Sequence, residues 1–333
     1  MDELDLIRSF RSDIPAPSPA AVGHAERAWR RARPRRSRWA PRLAVAAALA
    51  AAALIAAIAI PGSDTGRIGP AEATAAETLR RAADAQHGEL PRPLRPGEFW
   101  YVRTRSASII GGDESGYTAI QPELREDWVA ADGTRRSVIR PAGPLRFPGP
   151  RDRRRWEAAG SPELSGRGVQ AYRFRAPKKG PFYFADQPMS YADLLGLPRD
   201  AEALYGRIRS AAVECECGPS VDRESFVIVG DMLRDNPIPD DLRAAFLRAA
   251  AFIPGIQLVA RERDAAGRPG IAVAHDHARH RHALVFDARS YRLLGDTDRV
   301  VARNDYVDAA AGRLIGGRAY VESGIVTSQF ARP

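Results

Sequence analysis

Four of the six histidines fall within eight residues, His275-Asp276-His277-Ala278-Arg279-His280-Arg281-His282. Imidazole is the side chain that ligates transition metals most often and titrates closest to neutral pH. If Ala278 and Arg279 make a two-residue hairpin turn, His277 lies opposite His280 and His275 opposite His282. Side chains alternate along a strand, so all four imidazoles then share one face, continued by Ile271, Val273, Leu284 and Phe286. Asp276 faces Arg281 on the other side. That register offers nitrogens to Zn2+, Cu2+ or Ni2+, or a cluster that charges at about pH 6. The competing reading is an exposed hairpin tip that tolerates histidine.

The other group with chemistry is Cys215-Glu216-Cys217, which holds both cysteines of the chain. A disulfide across one intervening residue must bend the backbone and is comparatively reducible, so a bridge and two free thiols are both open. The pair alone supplies too few ligands for a metal. There is no Gly-x-Ser-x-Gly elbow, no His-Glu-x-x-His, no phosphate-cradling Gly-x-x-x-x-Gly-Lys and no Gly-x-Gly-x-x-Gly opening a helix. A non-catalytic protein without a cofactor is therefore expected.

The elements that must position these residues follow from periodicity. A helix is predicted from about Ala71 to Gln86, closed by Pro91, Pro93 and Pro96. From Glu98 the pattern turns strand-like: Phe99-Trp-Tyr-Val-Arg-Thr-Arg, a Gly111-Gly112 turn, Glu126-Asp-Trp-Val-Ala-Ala, and an Asp132-Gly133 hairpin turn into Arg136-Ser-Val-Ile. Residues 141 to 170, rich in Pro, Gly and Arg, read as a long loop. Three helices follow at Asp200–Arg209, Asp222–Arg234 and Asp240–Phe252, each with Asp in a capping position. Strands return at 256–263, 270–277, 280–287, 291–294, 299–302 and 320–327. This order predicts an α+β domain with a large antiparallel, curved, half-barrel-like sheet and helices on one face.

Ahead of that domain, Leu43 to Ile60 are eighteen uncharged apolar residues, preceded by eight arginines between Arg27 and Arg42. As a helix this run would be about 27 Å long, against a hydrocarbon core of about 30 Å. The arginines before it predict a cytoplasmic N-terminus and an outer C-terminal domain. Eleven of the eighteen are alanine, which keeps a cleavable signal peptide ending near Ala57 to Ala59 as the alternative. The chain then divides into a cytoplasmic tail (1–41), a transmembrane helix (42–61), a linker (62–70) and an extracytoplasmic domain (71–333). The net charge is +9, but residues 1–42 hold ten arginines against five acids. That concentration reads as membrane topology, and no nucleic acid is expected. In the tail, Leu4, Ile7 and Phe10 form an apolar stripe at helical spacing, a docking element for a partner on a segment too small for its own core.

Several stretches together resemble a known family: Leu6-Ile-Arg-Ser-Phe-Arg-Ser-Asp-Ile-Pro-Ala-Pro, Phe99-Trp-Tyr-Val-Arg-Thr, Asp127-Trp-Val-Ala-Ala-Asp-Gly, Leu197-Pro-Arg-Asp-Ala-Glu-Ala-Leu, Asp231-Met-Leu-Arg-Asp-Asn-Pro-Ile-Pro-Asp-Asp-Leu-Arg-Ala-Ala, Pro254-Gly-Ile, Asp264-Ala-Ala-Gly-Arg-Pro-Gly-Ile-Ala-Val and Leu284-Val-Phe-Asp. The chain resembles an uncharacterised family of single-pass membrane proteins of high-GC Gram-positive bacteria, commonly found beside extracytoplasmic-function sigma factors. The resemblance implies an anti-sigma-like regulator with a sigma factor or other protein on the tail, and it transfers no catalytic or binding residue. The alternative is an envelope binding module whose sheet and helices enclose an apolar groove for a lipid, lipoprotein or peptide. A reporter active only outside the cytoplasm should work when fused after Arg95 and fail after Arg33. Release of a shortened, soluble outer domain would show cleavage instead.

Overall fold

The structure, a computed structural model, describes residues 70–88, 90–112, 116–164, 169–174, 180–215, 217, 220–302 and 309–333. The expected tail and membrane helix lie outside these residues. Among the described residues no helix is long and apolar enough to cross a membrane.

Helix α1 (Pro70–Asp84) buries Ala75, Ala76, Leu79, Ala82 and Ala83, a stripe at the helical period whose small side chains let the backbone approach its neighbours closely. The chain then makes the strands β1 (Phe99–Gly112), β2 (Tyr117–Ala130), β3 (Arg135–Pro141) and β4 (Gln170–Phe174). Asp132-Gly133 turns β2 into β3 as the sequence indicates, with the Asp132 carboxylate accepting from Thr134 N at 2.8 Å and Gly133 at a φ of 77°. The Gly111-Gly112 pair closes no turn of its own and belongs to the end of β1.

A small hairpin of β5 (Phe182–Phe184) and β6 (Gln187–Met189) leads into helices α3 (Tyr191–Leu195), α4 (Ala201–Glu214), α5 (Val221–Asp235) and α6 (Asp240–Ala250). Strands β7 (Ile256–Arg263), β8 (Pro269–His277), β9 (His280–Phe286), β10 (Leu293–Val300) and β11 (Leu314–Val326) complete the chain. One antiparallel sheet results, in the order β4-β3-β2-β1-β11-β10-β9-β8-β7. Its two edges, β4 and β7, do not meet, so the sheet is open and no barrel closes.

Three further expectations need correction. Residues 150–158, inside the expected loop, form helix α2 (Pro150–Ala158), because Pro150 suits the first turn and Asp152 is buried where it accepts from Thr118 N at 2.9 Å. The two short strands expected around 291–302 are the single strand β10, since Gly295, Asp296 and Asp298 pair with β9 and β11 rather than making a turn. Of the three expected aspartate caps only Asp200 serves, accepting from Ala203 N; Ser220 caps α5, and Pro239 precedes α6 without a side-chain cap.

The main core lies between the helices and the β7–β10 half of the sheet, where Phe226, Phe246, Phe286, Leu284 and Val273 are buried together. Helix α6 is buried on nearly every side. Its Asp240 carboxylate accepts from Gly88 N and Leu90 N, and its buried Arg243 donates to Leu233 O at 3.0 Å. On the opposite face of β1–β3, the C-terminal residues strap over Tyr101 and Trp128. The Trp128 indole donates to Ala331 O at 2.6 Å, and Glu126 accepts from Arg332 at 2.6 Å, from Tyr101 at 2.9 Å and from Arg140. Burial opposes the charge on Glu126, yet these donors hold its pKa down to about 2. Burial and that same bond push the Tyr101 hydroxyl up to about 12.

Candidate functional site: a polar groove beneath helix α5

Along β7–β9 the helix-facing side chains are mostly apolar, but across β10, β11, β1 and β2 the same face changes character. Register places Asp296 opposite Arg318 and Leu284, and Asp298 opposite His282. It places Arg318 opposite Ser106, Ser106 opposite Glu123, and Thr104 opposite Arg125. Directly paired residues share a face, so Asp296, Asp298, Arg318, Thr104, Ser106, Glu123, Arg125 and Asp127 all point toward the helices. Helix α5 meets them with Arg223, Asp231 and Arg234, and Asn236 follows at its C-cap.

The space between α5 and this polar stretch is not filled. One cavity of about 300 Å3 lies against β2, β3 and the β5–β6 hairpin and is lined by Arg125, Arg135, Tyr183, Asp231, Asn236 and Arg318 among others. A second of about 430 Å3 lies against β1, β10 and β11, with Arg223, Arg234, His280, Asp296, Asp298 and Arg318 in its wall. Arg318 lines both. Together the two hold five arginines and three aspartates, so a carboxylate-bearing ligand finds guanidinium groups in both cavities with which to pair.

The charges are cross-braced. Arg125 grips Asp127 at 2.7 Å, and Ser137 donates to the same carboxylate. Arg234 lies 3.5 Å from Asp296 and also pairs with Asp231. Asp296 accepts from Arg318 N at 3.2 Å. Burial pushes the Glu123 carboxyl up, against the pull of Arg125 and Arg318.

The histidine hairpin forms in the expected register: His275 pairs with His282, Asp276 with Arg281 and His277 with His280. Ala278 takes a φ of 52° at the turn, and Arg281 grips Asp276 through two bonds of 2.7 Å. The four imidazoles share the helix-facing side, but two environments divide them. His275 and His282 are buried against the Phe226 ring, while His277 and His280 are only half-buried. Among the described residues the histidines join no trio of ligand atoms within 4.8 Å, so a metal role for His275, His277, His280 and His282 rests on the sequence pattern alone. His280 reaches the groove wall, and His282 joins it through Asp298, whose carboxylate lies 2.9 Å from Nδ1.

The groove residues were not singled out from sequence, although a signal exists. Glu123, Arg125 and Asp127 stand at every second position of one strand, and Asp296 and Asp298 repeat the pattern in another, so a face that must lie under helices is charged. Leu4, Ile7 and Phe10 lie outside the described residues. Cys215 and Cys217 are joined as a disulfide.

No family model matches the chain, and no curated protein matches it. The resemblance to a known family is carried by the residues quoted above and by no comparison. Among solved structures, MucB is 14% identical with a TM-score of 0.27, over 80% of this chain and 62% of that chain. MucB in complex with MucA(peri) is 13% identical with a TM-score of 0.22, over 78% and 57%. A putative outer membrane lipoprotein-sorting protein domain from Vibrio parahaemolyticus is 8% identical with a TM-score of 0.20, over 77% and 94%. The chain thus spans about three fifths of the MucB chain. Likeness this weak leaves function to the groove itself.

The two buried histidines respond to acid in opposite directions. Burial lowers the pKa of His275, outweighing Asp222, Asp276 and the Pro254 carbonyl that accepts from its ring. His282 suffers the same desolvation, but Asp298 and Asp296 overcome it, with Arg234 opposing, and its pKa is raised. Stability from His282 is full below the unfolded value of about 6.5 and fades as pH rises through the folded value. Stability from neutral His275 is full above about 6.5 and fades as pH falls. In chemical denaturation from about pH 8 to about pH 5.5, His282→Gln should cost about 2 kcal/mol at the acid end and less at the alkaline end. His275→Phe should remove part of the acid-side loss. Parallel pH profiles for both variants and wild type would contradict the assignment.

Proposed function

We propose that the protein is a membrane-tethered, non-catalytic regulator whose outer domain binds an acidic, extended peptide segment in the groove beneath α5, while the tail engages a cytoplasmic partner of the sigma-factor class. The observation that carries this reading is the polar, arginine-rich lining of an unfilled space beside a filled apolar core. An extended segment carrying Asp or Glu side chains suits both halves of the groove. Its carboxylates would exchange with Asp127, Asp231 or Asp296 as partners of the arginines, at little net desolvation cost.

An apolar ligand has one observation in its favour. A separate cavity of about 420 Å3 at the end of the sheet is framed by Pro96, Phe99, Ala130 and Ala131, with Arg95 and Asp132 at its border. It lies away from α5, and a lipid or lipoprotein acyl chain is its fitting occupant.

A photocrosslinking side chain at Tyr183, which is about half exposed and lines the groove, tests the peptide reading in intact membranes. The expected result is a protein adduct that is lost, together with at least about tenfold in affinity, when Arg135 and Arg318 are both changed to Glu. Adducts to lipid alone, or a protein adduct indifferent to the double change, would remove the peptide groove. Replacing Leu4, Ile7 and Phe10 by Ser should separately abolish co-isolation of the cytoplasmic partner while leaving the outer adduct intact.

A further inference from the structure

The corner between α4 and α5 holds three metal-ligating atoms in one place: the sulfurs of Cys215 and Cys217 and a carboxylate oxygen of Glu224, all within 4.8 Å of one another. Helix geometry assembles them. Cys215 is the C-cap of α4, and Glu224 stands in the first turn of α5, which Ser220 caps. The end of α4 and the first turn of α5 thus lie side by side at this corner.

The three differ in exposure in a way that suits a gated site. Cys217 is exposed and Cys215 half-buried, whereas Glu224 is only 8% exposed. A reductant can therefore reach a sulfur while the carboxylate waits beneath. Glu224 is weakly held for a buried acid, because its ion pair with Arg223 is long, at 3.8 Å. A buried carboxyl with so little compensation is costly as an isolated charge and becomes favourable beside a cation.

We propose that Cys215, Cys217 and Glu224 form a redox-gated binding site for Zn2+ or a similar filled-shell cation, closed as the disulfide and opened by a dithiol reductant. Two electrons and two protons from the dithiol cleave the sulfur–sulfur bond, giving two thiols and leaving the reductant as its own disulfide. The cation then binds two thiolates and one carboxylate oxygen. It displaces a proton from each thiol, and a third from Glu224 where that is protonated, and water completes a tetrahedron. Binding would pin the end of α4 to the start of α5, the helix that covers the groove, whatever the groove's ligand.

The test uses the full-length chain in detergent, reduced with a phosphine that is then removed, and titrated with Zn2+ against a chromophoric chelator. Cd2+ serves as a spectroscopic probe of thiolate ligation. The expected result is one tightly bound cation in the reduced chain and none in the oxidised chain. Cys217→Ser should lose the thiolate-to-cadmium band. Glu224→Gln, with an unchanged melting temperature in the oxidised state, should lose at least about tenfold in affinity, and Glu224→Asp should recover part of it. Equal affinity of the reduced wild type and Glu224→Gln would reduce the site to simple dithiol chelation and overturn it. So would absence of stoichiometric binding by the reduced wild type, or equal binding by the oxidised chain.

Discussion

The pairing of β1 with β11 holds the domain together. It joins Phe99 to Val326 and continues to Ala107 opposite Gly317, with one irregularity between Arg103 and Thr104. Without it the sheet would be two meanders, β1–β4 and β7–β11, separated by the helical insert. Contacts so distant in sequence are costly to close and are repaid only when the surrounding layers pack. The insert supplies that packing on one face, and the C-terminal strap over Tyr101 and Trp128 supplies it on the other. Close approach of β11 to its next neighbour needs glycine. A β-carbon on Gly295 would run into the Arg318 carbonyl, and one on Gly317 would lie 2.5 Å from Asp296 O at a φ of 142°.

The groove is a consequence of that seam. Its walls come from both meanders, Arg125 and Arg135 from the first and Asp296, Asp298 and Arg318 from the second. Placing charges under a helix is expensive unless each is paired, since an isolated buried ion costs several kcal/mol. Here the pairs are internal, as in Arg125 with Asp127 and Arg234 with Asp296. The same pairs make the surface exchangeable, because a carboxylate from outside can take the place of one from within. The apolar half has no such option: truncating Phe246 or Phe286 there would cost about 3–5 kcal/mol by leaving a void.

Much of the layout was legible because local chemistry agreed with it. Asp132-Gly133 makes its hairpin, Asp200 caps its helix, and the histidine hairpin forms in the register that its two-residue turn dictates. What escaped was set by distant contacts. Helix α2 is poor in apolar residues, and the buried Asp152 that bonds to Thr118 N cannot be seen in a window of local sequence. The groove escaped because alternating charges read equally well as a solvated strand face, and only the helical insert decides that this face is covered. Pairing of Cys215 with Cys217, and the approach of Glu224 to both, depend on how two helices meet at a corner.

Native-state hydrogen exchange of the β1 and β11 amides tests most directly whether the seam makes one domain of the two meanders. If it does, these amides belong to the slowest class and share one opening free energy with β2 and β10, rising and falling together across added denaturant. Exchange of β1–β4 through a lower-energy opening while β7–β11 and the helices stay protected would contradict this. The two meanders would then be separate folding units, and the walls of the groove would have no fixed relation to each other.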